Sequence, residues 1–274
     1  KVMQAFLATG RRCCFLTATP RNKSAWDVYH QIKLFHQDDK TDLPVTPPDL
    51  KEYFKLIIEE LRRRFGTRPF SLIDVGCASG SFLFHVGNQL KIQDAAGVDV
   101  VEEHLALARH RLPGVSFHNE SVLDKPPTFL QRRFDVVSCL GTLAVFEDLH
   151  DPVSNLLEYM KPGGLLVVYD LFNDDPIDAL VRHRPADERP QAAWHSAFNV
   201  RSVETWRKLI NQIDPSLRCE FIDFKMPFAI PKLSPLRAWT IVTNSNPFQL
   251  TVGTGQLLHF KIALISMKPN EGRP

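Results

Sequence analysis

Short apolar runs alternate with amphipathic segments through the middle of this 274-residue chain. The apolar runs are typical of buried strands and read PFSLIDVG, AAGVDV, GVSFHNE, FDVVSCLG and LLVVYDLF. Segments with helical spacing lie between them: SFLFHVGNQL, EEHLALARHRL and DPVSNLLEYMKPGG, the last with Asp151 as its expected N-cap and a glycine stop. Strands and helices in alternation predict an α/β fold with right-handed crossovers and a doubly wound, mostly parallel sheet.

Both ends of the chain depart from this alternation. RCEFIDFKMPF and QLLHFKIALISMK are long and β-like with no clear helix between them, which predicts an antiparallel pair at the sheet edge. Residues 173–200 and 229–255 are proline-bearing insertions after the fifth and sixth strands, and the second could form a small hairpin. Residues 1–65 are predicted to form a helical cap, clearest in PPDLKEYFKLIIEELRRRF, and residues 66–274 the main domain.

Charge and apolar content narrow the classes of partner. Hydrophobic residues make up 44% and charged residues 23%, which is an ordinary globular composition. The formal net charge of +2 argues against binding of a long nucleic acid, because such binding needs a broad basic surface. The sequence has no apolar run of about 18 residues, so no membrane span is expected.

The cysteines and the N-terminal residues bear on the compartment. Five cysteines are scattered without CxxC spacing, which favours buried free thiols in a reducing compartment and predicts no zinc site. Before Asp27 the chain has basic but no acidic residues, a composition typical of an organellar transit peptide. We expect a cytoplasmic protein with a plain N-terminal segment, and the organellar alternative stays open.

The segment SLIDVGCASGSF, residues 71–82, predicts a strand, a tight glycine turn and a helix start. A dinucleotide fingerprint placed on Gly76 would need glycines at positions 78 and 81, where the chain has Ala78 and Ser81. Asp74 lies two residues before Gly76, and its carboxylate would repel a pyrophosphate. A ligand with positive charge suits this loop better, and S-adenosylmethionine carries both a sulfonium and an ammonium group.

A second carboxylate follows at the end of the next strand. Asp99 in GVDV lies 25 residues beyond Asp74, and an acidic side chain at this strand tip can accept hydrogen bonds from both ribose hydroxyls. The two aspartates, in this strand order, predict a site for an adenosyl amino acid. Two surface turns that happen to carry aspartates are the structural alternative.

With these motifs the chain resembles the class I S-adenosylmethionine-dependent methyltransferase superfamily. The resemblance covers residues 70–172 through IDVGCASGSF, GVDV, FDVVSCLGTL and MKPGGLLVVYD. It implies a Rossmann-like methyltransferase fold with a seven-stranded sheet whose last strand is antiparallel. It also implies that S-adenosylmethionine is the cofactor.

The resemblance further implies which residues surround the cofactor. Those expected at the methionine end are Asp74, Gly76, Cys77, Ala78 and Gly80, and those at the ribose and adenine edge are Asp99 and Val100. Ser121 and Val122 align with the adenine contact, where the family often has an aspartate, so Glu120 or Asp124 could take this role. Leu140, Gly141 and Thr142 are expected beneath the sulfonium. Tyr29 resembles an aromatic residue of a helix that closes over the cofactor, and a packing role is the alternative.

The acceptor is predicted to be a small molecule methylated at oxygen. Related enzymes that methylate base amines or glutamine carry an Asn/Asp-Pro-Pro-aromatic run after the fourth strand, and this chain has SCLGTLAV there. A hydroxyl acceptor must lose a proton, and the histidine candidates for the general base are His150, His195 and His183. The first two are favoured by their positions after the fourth and fifth strands, and Asp170 is another candidate. Ordinary surface histidines are the alternative. Methylation of protein or RNA stays open, as does a catalytically silent binding partner.

Overall fold

The structure is a computed structural model that describes residues 52–184, 192–196, 199–223 and 260–268. Five α-helices lie within these ranges: α1 Glu52–Phe65, α2 Ser81–Gly87, α3 Glu102–Arg111, α4 His150–Tyr159 and α5 Val203–Ile213. The first strands are β1 Phe70–Val75, β2 Ile92–Asp99, β3 Ser116–Asn119, β4 Phe134–Leu140 and β5 Met160–Asn173. The later strands are β6 Arg182–His183, β7 His195–Ser196, β8 Arg201–Ser202, β9 Leu217–Asp223 and β10 Phe260–Met267. A short 3-10 helix, Leu143–Val145, follows β4.

One central sheet runs in the order β3-β2-β1-β4-β5-β10-β9. Strands β1 to β5 pair in parallel, and β10 is antiparallel to both β5 and β9. The predicted seven-stranded, mostly parallel sheet with an antiparallel edge pair is therefore confirmed. The two-residue β8 pairs with the end of β5 and adds an eighth strand that the sequence pattern does not predict.

The core lies between this sheet and its helices. The central strands β1 and β4 are buried along nearly their whole length, which explains their continuous apolar runs. Helix α1 buries Ile57, Ile58 and Leu61 at helical spacing, as its apolar face predicts. On α5, Trp206 and Ile210 face the core, and Trp206 lies edge-on to Phe172 of β5.

The start and the end of α4 differ from the sequence prediction. The helix begins at His150, whose backbone N–H donates to the Asp148 carboxylate at 2.8 Å, so Asp151 is inside the helix and not its N-cap. It ends at Tyr159, before the glycines expected to stop it. Those glycines instead lie in an irregularity at the start of β5, where Gly163 has a φ of 77°. The pairing advances five residues along β5, from Met160 to Leu165, while it advances two along β4.

The first insertion contains a two-stranded ladder formed by β6 and β7. The sequence did not predict it, because its short polar strands lack an apolar alternation. The hairpin expected in residues 229–255 lies outside the described residues, as does the N-terminal cap apart from α1. No helix among the described residues is long and apolar enough to span a membrane. The described ranges also contain no cluster of three or more His, Cys, Asp or Glu suited to a metal ion.

Candidate functional site

The glycine loop after β1 is held against the end of β2 by its own backbone. The N–H groups of Gly76 and Cys77 both donate to the carbonyl of Val98, at 2.7 and 3.0 Å. Gly76, Ala78 and Gly80 have positive φ of 77°, 45° and 75°, so the chain turns through left-handed conformations before α2 begins. The result is a tight concave turn at the carboxyl end of the parallel strands, where ligands of doubly wound folds bind.

Thr142 closes this loop from the side of β4. A Cβ atom on Gly76 would lie 2.1 Å from the Thr142 hydroxyl oxygen and 3.1 Å from its Cβ. Only glycine fits at this contact, which explains the residue independently of its φ angle. The structure therefore brings together the predicted methionine end and the predicted sulfonium segment of the site.

The Asp99 carboxylate holds the other side of the glycine loop. One oxygen accepts the Ala78 N–H at 2.8 Å, and the other accepts the Val101 N–H at 2.9 Å. His104 is at the limit of ion-pair distance, with Nδ1 4.0 Å from Asp99. A carboxylate has about four acceptor positions. Asp99 can therefore hold the loop and still accept hydrogen bonds from a ligand with two neighbouring hydroxyls.

Asp74 lies almost fully buried under the loop, where it receives a 2.7 Å hydrogen bond from the Ser138 hydroxyl. Burial raises the pKa of Asp74 to about 7, and the negative charge of Asp99 adds to this, although the Ser138 hydrogen bond acts in the opposite direction. Near neutral pH the group therefore lies close to its titration midpoint. A cation bound nearby would favour the ionised form.

The segment expected beside adenine is fixed by a residue that the sequence did not single out. Asn155 of α4 is buried, and its amide donates to the Val122 carbonyl at 3.0 Å. The Ser121 hydroxyl accepts the Leu123 N–H at 3.1 Å, so Ser121 stabilises its own turn. Val100 is 62% exposed and offers an apolar surface next to Asp99. A polar residue on the buried face of an amphipathic helix was the available signal for Asn155.

Asp170 anchors the segment after β4. It is buried near the end of β5, and burial raises its pKa to about 7, against hydrogen bonds from the backbone N–H groups of Leu171, Ala144 and Leu143. Its carboxylate accepts the Leu171 N–H at 2.8 Å and lies near the N–H groups at the start of the 3-10 helix. Gly141, at φ 77°, donates its N–H to the Tyr169 carbonyl at 2.7 Å. The sequence suggested Asp170 as a base, and the structure shows it buried, with its carboxylate bonded to the Leu171 N–H.

The two candidate bases lie on separate exposed elements. His150 is at the start of α4, with Nδ1 3.1 Å from the Asp151 carboxylate. His195 is on β7 opposite His183, with ring centroids 5.9 Å apart. Among the described residues no hydrogen bond, ion pair or ring contact joins either histidine to the glycine loop. Tyr29 lies outside the described residues.

Comparison with protein families identifies the same region. The family model described as "Methyltransferase domain" matches residues 50–212, more than half of the chain. A dTDP-3-amino-3,4,6-trideoxy-alpha-D-glucopyranose N,N-dimethyltransferase from Streptomyces venezuelae is 34% identical over 115 residues, which cover 40% of this chain and 46% of that protein. A trans-aconitate 2-methyltransferase from Acidovorax sp. (strain JS42) is 26% identical over 206 residues, 72% of this chain and 76% of that protein.

Solved structures share the fold at lower identity. Magnesium protoporphyrin IX methyltransferase from Synechocystis PCC 6803 with bound SAM has a TM-score of 0.51 at 12% identity, covering 90% of this chain and 93% of that chain. This likeness concerns the fold alone. With the first of the curated relatives above, the chain matches less than half of the relative's length.

Proposed function

The chain belongs to the class I S-adenosylmethionine-dependent methyltransferase superfamily, and on this basis we propose that it methylates a small molecule at an oxygen atom. The observation that carries the proposal is the convergence of three strand ends on one loop. The Gly76–Gly80 turn of β1 is hydrogen-bonded to Asp99 of β2 and packed against Thr142 after β4. The matched family region contains all three.

The residues around the loop fit S-adenosylmethionine. Gly76 has no side chain that would clash with Thr142, Asp99 retains acceptor positions for a ribose, and the exposed Val100 offers an apolar contact for adenine. Asp74 would favour a cation over a phosphate. When bound, S-adenosylmethionine supplies a methyl group on a positively charged sulfur, which is a good leaving group. The chain's own part is to orient the two reactants and to exclude water between them.

An oxygen acceptor is supported by the segment after β4. It reads Leu140-Gly141-Thr142 and carries no Asn/Asp-Pro-Pro-aromatic run. Transfer to a hydroxyl requires a base, and we assign that role to His150 or His195, which both lie in or next to segments that follow β4 and β5. A relative named O-methyltransferase resE from Aspergillus sclerotiorum supports oxygen transfer.

Transfer to an amine is the second candidate. The relative with 34% identity is an N,N-dimethyltransferase of an amino sugar nucleotide. A neutral amine attacks with its own lone pair and needs no base before transfer, so this reaction would not require either histidine.

The buried thiols of Cys77 and Cys139 fit a reducing compartment, and we propose the cytoplasm.

Calorimetric titration tests the cofactor, and an acceptor panel tests the chemistry. We expect the protein to bind S-adenosylmethionine and its thioether product S-adenosylhomocysteine, with NAD as the negative control. A panel of hydroxyl, carboxylate and amine metabolites, scored by the mass of the methylated product, then separates oxygen from nitrogen transfer. Binding of NAD without binding of either sulfur compound would overturn the proposal, and methylated amines alone would support the second candidate.

A further inference from the structure

One buried residue of the insertion after β5, Asn199, connects the insertion to the segment that follows β4. Its side chain is 2% exposed and forms three hydrogen bonds. Its amide nitrogen donates to the Phe146 carbonyl at 3.1 Å and to the Ser196 hydroxyl at 2.6 Å, and its amide oxygen accepts the Val181 N–H at 2.9 Å. Its backbone N–H donates to the Ala144 carbonyl at 2.6 Å. Asn199 thus joins both strands of the β6–β7 ladder to the segment after β4.

Two arginines strengthen the same connection. Arg201 of β8 is buried, and its Nη2 donates to the carbonyls of Phe146 and Glu147 at 3.3 and 2.6 Å. Arg182 of β6 forms a two-pronged ion pair with the Glu147 side chain. The carbonyls of residues 144, 146 and 147 therefore accept hydrogen bonds from Asn199 and Arg201, and the Asp170 carboxylate at the end of β5 lies near the N–H groups of the same turn.

This segment is connected to the glycine loop, residues 76–80, through Thr142. Thr142 lies two residues before Ala144, and its hydroxyl occupies the space that a side chain on Gly76 would need. Leu143, which joins Thr142 to Ala144, is buried, so a displacement of residues 144–147 would change the contact between Thr142 and Gly76. Packed interiors transmit such displacements, because they have few voids to absorb them.

We propose that Asn199 is a positioning residue that couples the first insertion to the glycine loop, so that occupancy of the loop and order in the β6–β7 ladder change together. This inference rests on the proposed function, because it requires that the loop binds an adenosyl ligand. Coupling is reciprocal: ligand binding orders the ladder, and loss of the Asn199 contacts weakens ligand binding. The consequence for transfer is that acceptor-side residues such as His195 are set relative to the methyl group through Asn199.

Hydrogen–deuterium exchange with and without S-adenosylhomocysteine tests the coupling. In the native protein we expect the ligand to slow exchange in the peptide that contains the Val181 N–H. In Asn199→Ala we expect the ligand to bind about fivefold more weakly, the lower end of common coupling strengths, and to leave exchange of that peptide unchanged. Asn199→Asp keeps an acceptor for Val181 but loses the donors, so it should retain part of the effect and serves if the alanine variant does not fold.

Ser202→Ala is the matched control. It removes the N-cap of α5, whose hydroxyl accepts the Thr205 N–H at 3.0 Å, and so lowers stability in the same region without touching the Asn199 contacts. The ligand should still slow exchange at Val181 in this variant. Failure of the native protein to bind the ligand would overturn the proposed function. Binding without slower exchange in the native protein, or slower exchange that persists in Asn199→Ala, would overturn the coupling alone.

Discussion

The Asp99 carboxylate accepts a 2.8 Å hydrogen bond from the backbone N–H of Ala78, which ties the end of β2 to the turn that follows β1. The second Asp99 oxygen accepts the N–H of Val101, at the start of α3. One side chain thus fixes the loop, the strand end and the next helix relative to one another. A ligand that reaches Asp99 therefore meets a group already held in place.

Replacement of Asp99 by alanine should weaken binding of S-adenosylhomocysteine by about 1–3 kcal/mol, because the Ala78 N–H and the ribose hydroxyls would lose their acceptor. Isothermal titration calorimetry measures the change. Asp94→Ala is the control on the same strand, since Asp94 pairs with the exposed Arg133 at the opposite end. Equal affinities for the native protein and Asp99→Ala would remove Asp99 from the site.

Replacement of Gly76 by alanine should lower the free energy of unfolding through two effects. The positive φ is unfavourable for alanine by about 1–2 kcal/mol. The contact with Thr142 adds overpacking of about 1–3 kcal/mol. Gly66→Ala is the control for the first effect, because Gly66 also has positive φ but has nothing within 4 Å of its Cβ position.

Urea unfolding of the single variants and of Gly76→Ala with Thr142→Ala separates the two contributions. We expect the double variant to recover part of the loss, since removal of the Thr142 hydroxyl eliminates the 2.1 Å contact. If Gly76→Ala and Gly66→Ala lose the same stability, the close approach of Thr142 to Gly76 does not exist in solution.

The central strands and the positions of Asp74 and Asp99 at strand ends could be predicted from the sequence, because these features are local. Buried parallel strands appear as continuous apolar runs, and Asp74 and Asp99 stand at fixed positions relative to strand ends. Crossover connections make the strands parallel, so that the ends of β1, β2 and β4 lie at the same edge of the sheet. The same logic placed the antiparallel pair at the other edge.

Residues whose role depends on distant contacts could not be predicted. Asn155 and Asn199 act on carbonyls 33 and 53 positions away, and nothing in their own neighbourhoods indicates those partners. The burial of Asp170 and its hydrogen bond from the Leu171 N–H likewise depend on the fold and are not visible in the sequence. At α4, Asp151 was predicted as the N-cap, but the helix begins at His150, whose N–H donates to the Asp148 carboxylate.

The contribution of Asp74 and Asp170 to the free energy of unfolding should fall as pH rises from about 4 to about 7. Burial raises the pKa of both Asp74 and Asp170 to about 7 from an ordinary value of 3.8, so the folded state holds protons that the unfolded state releases. Stability from this source is fully present below pH 4 and is lost through pH 7, by about 1.4 kcal/mol for each unit of pKa difference. Denaturant unfolding across this range measures it. In Asp74→Asn and Asp170→Asn the slope of the unfolding free energy against pH should become less negative than in the native protein. An unchanged slope in both variants would contradict the raised pKa values.

The two histidines should be distinguishable once an acceptor is found. If an imidazole removes the acceptor's proton, its replacement by glutamine should abolish the acidic limb of the pH profile of kcat/KM and lower the plateau by about 10²–10⁴-fold. We expect this in either His150→Gln or His195→Gln. His183→Gln is the control, because His183 lies opposite His195 on the same ladder. Normal profiles in both variants would show that neither histidine is the base.

The charge of Asp74 should decide between the cofactor and its product. S-adenosylmethionine carries a sulfonium that S-adenosylhomocysteine lacks, and opposite unit charges about 10 Å apart attract by about 1.7 kcal/mol at an effective dielectric constant of about 20. Asp74→Asn keeps an oxygen for the Ser138 hydroxyl and removes the charge. We therefore expect the variant to lose about tenfold in affinity for S-adenosylmethionine relative to S-adenosylhomocysteine at pH 8.

The same ratio should change little at pH 6, because Asp74, with a pKa of about 7, is then mostly protonated in the native protein as well. Asp170→Asn is the control, because it also removes a buried carboxylate whose pKa is raised to about 7. It should leave the ratio of the two ligand affinities unchanged at both pH values. Calorimetry with both ligands gives the four affinities for each protein. A native ratio retained by Asp74→Asn at pH 8 would mean that the loop selects its ligand by shape, and that the buried carboxylate beneath it plays no electrostatic part in the choice.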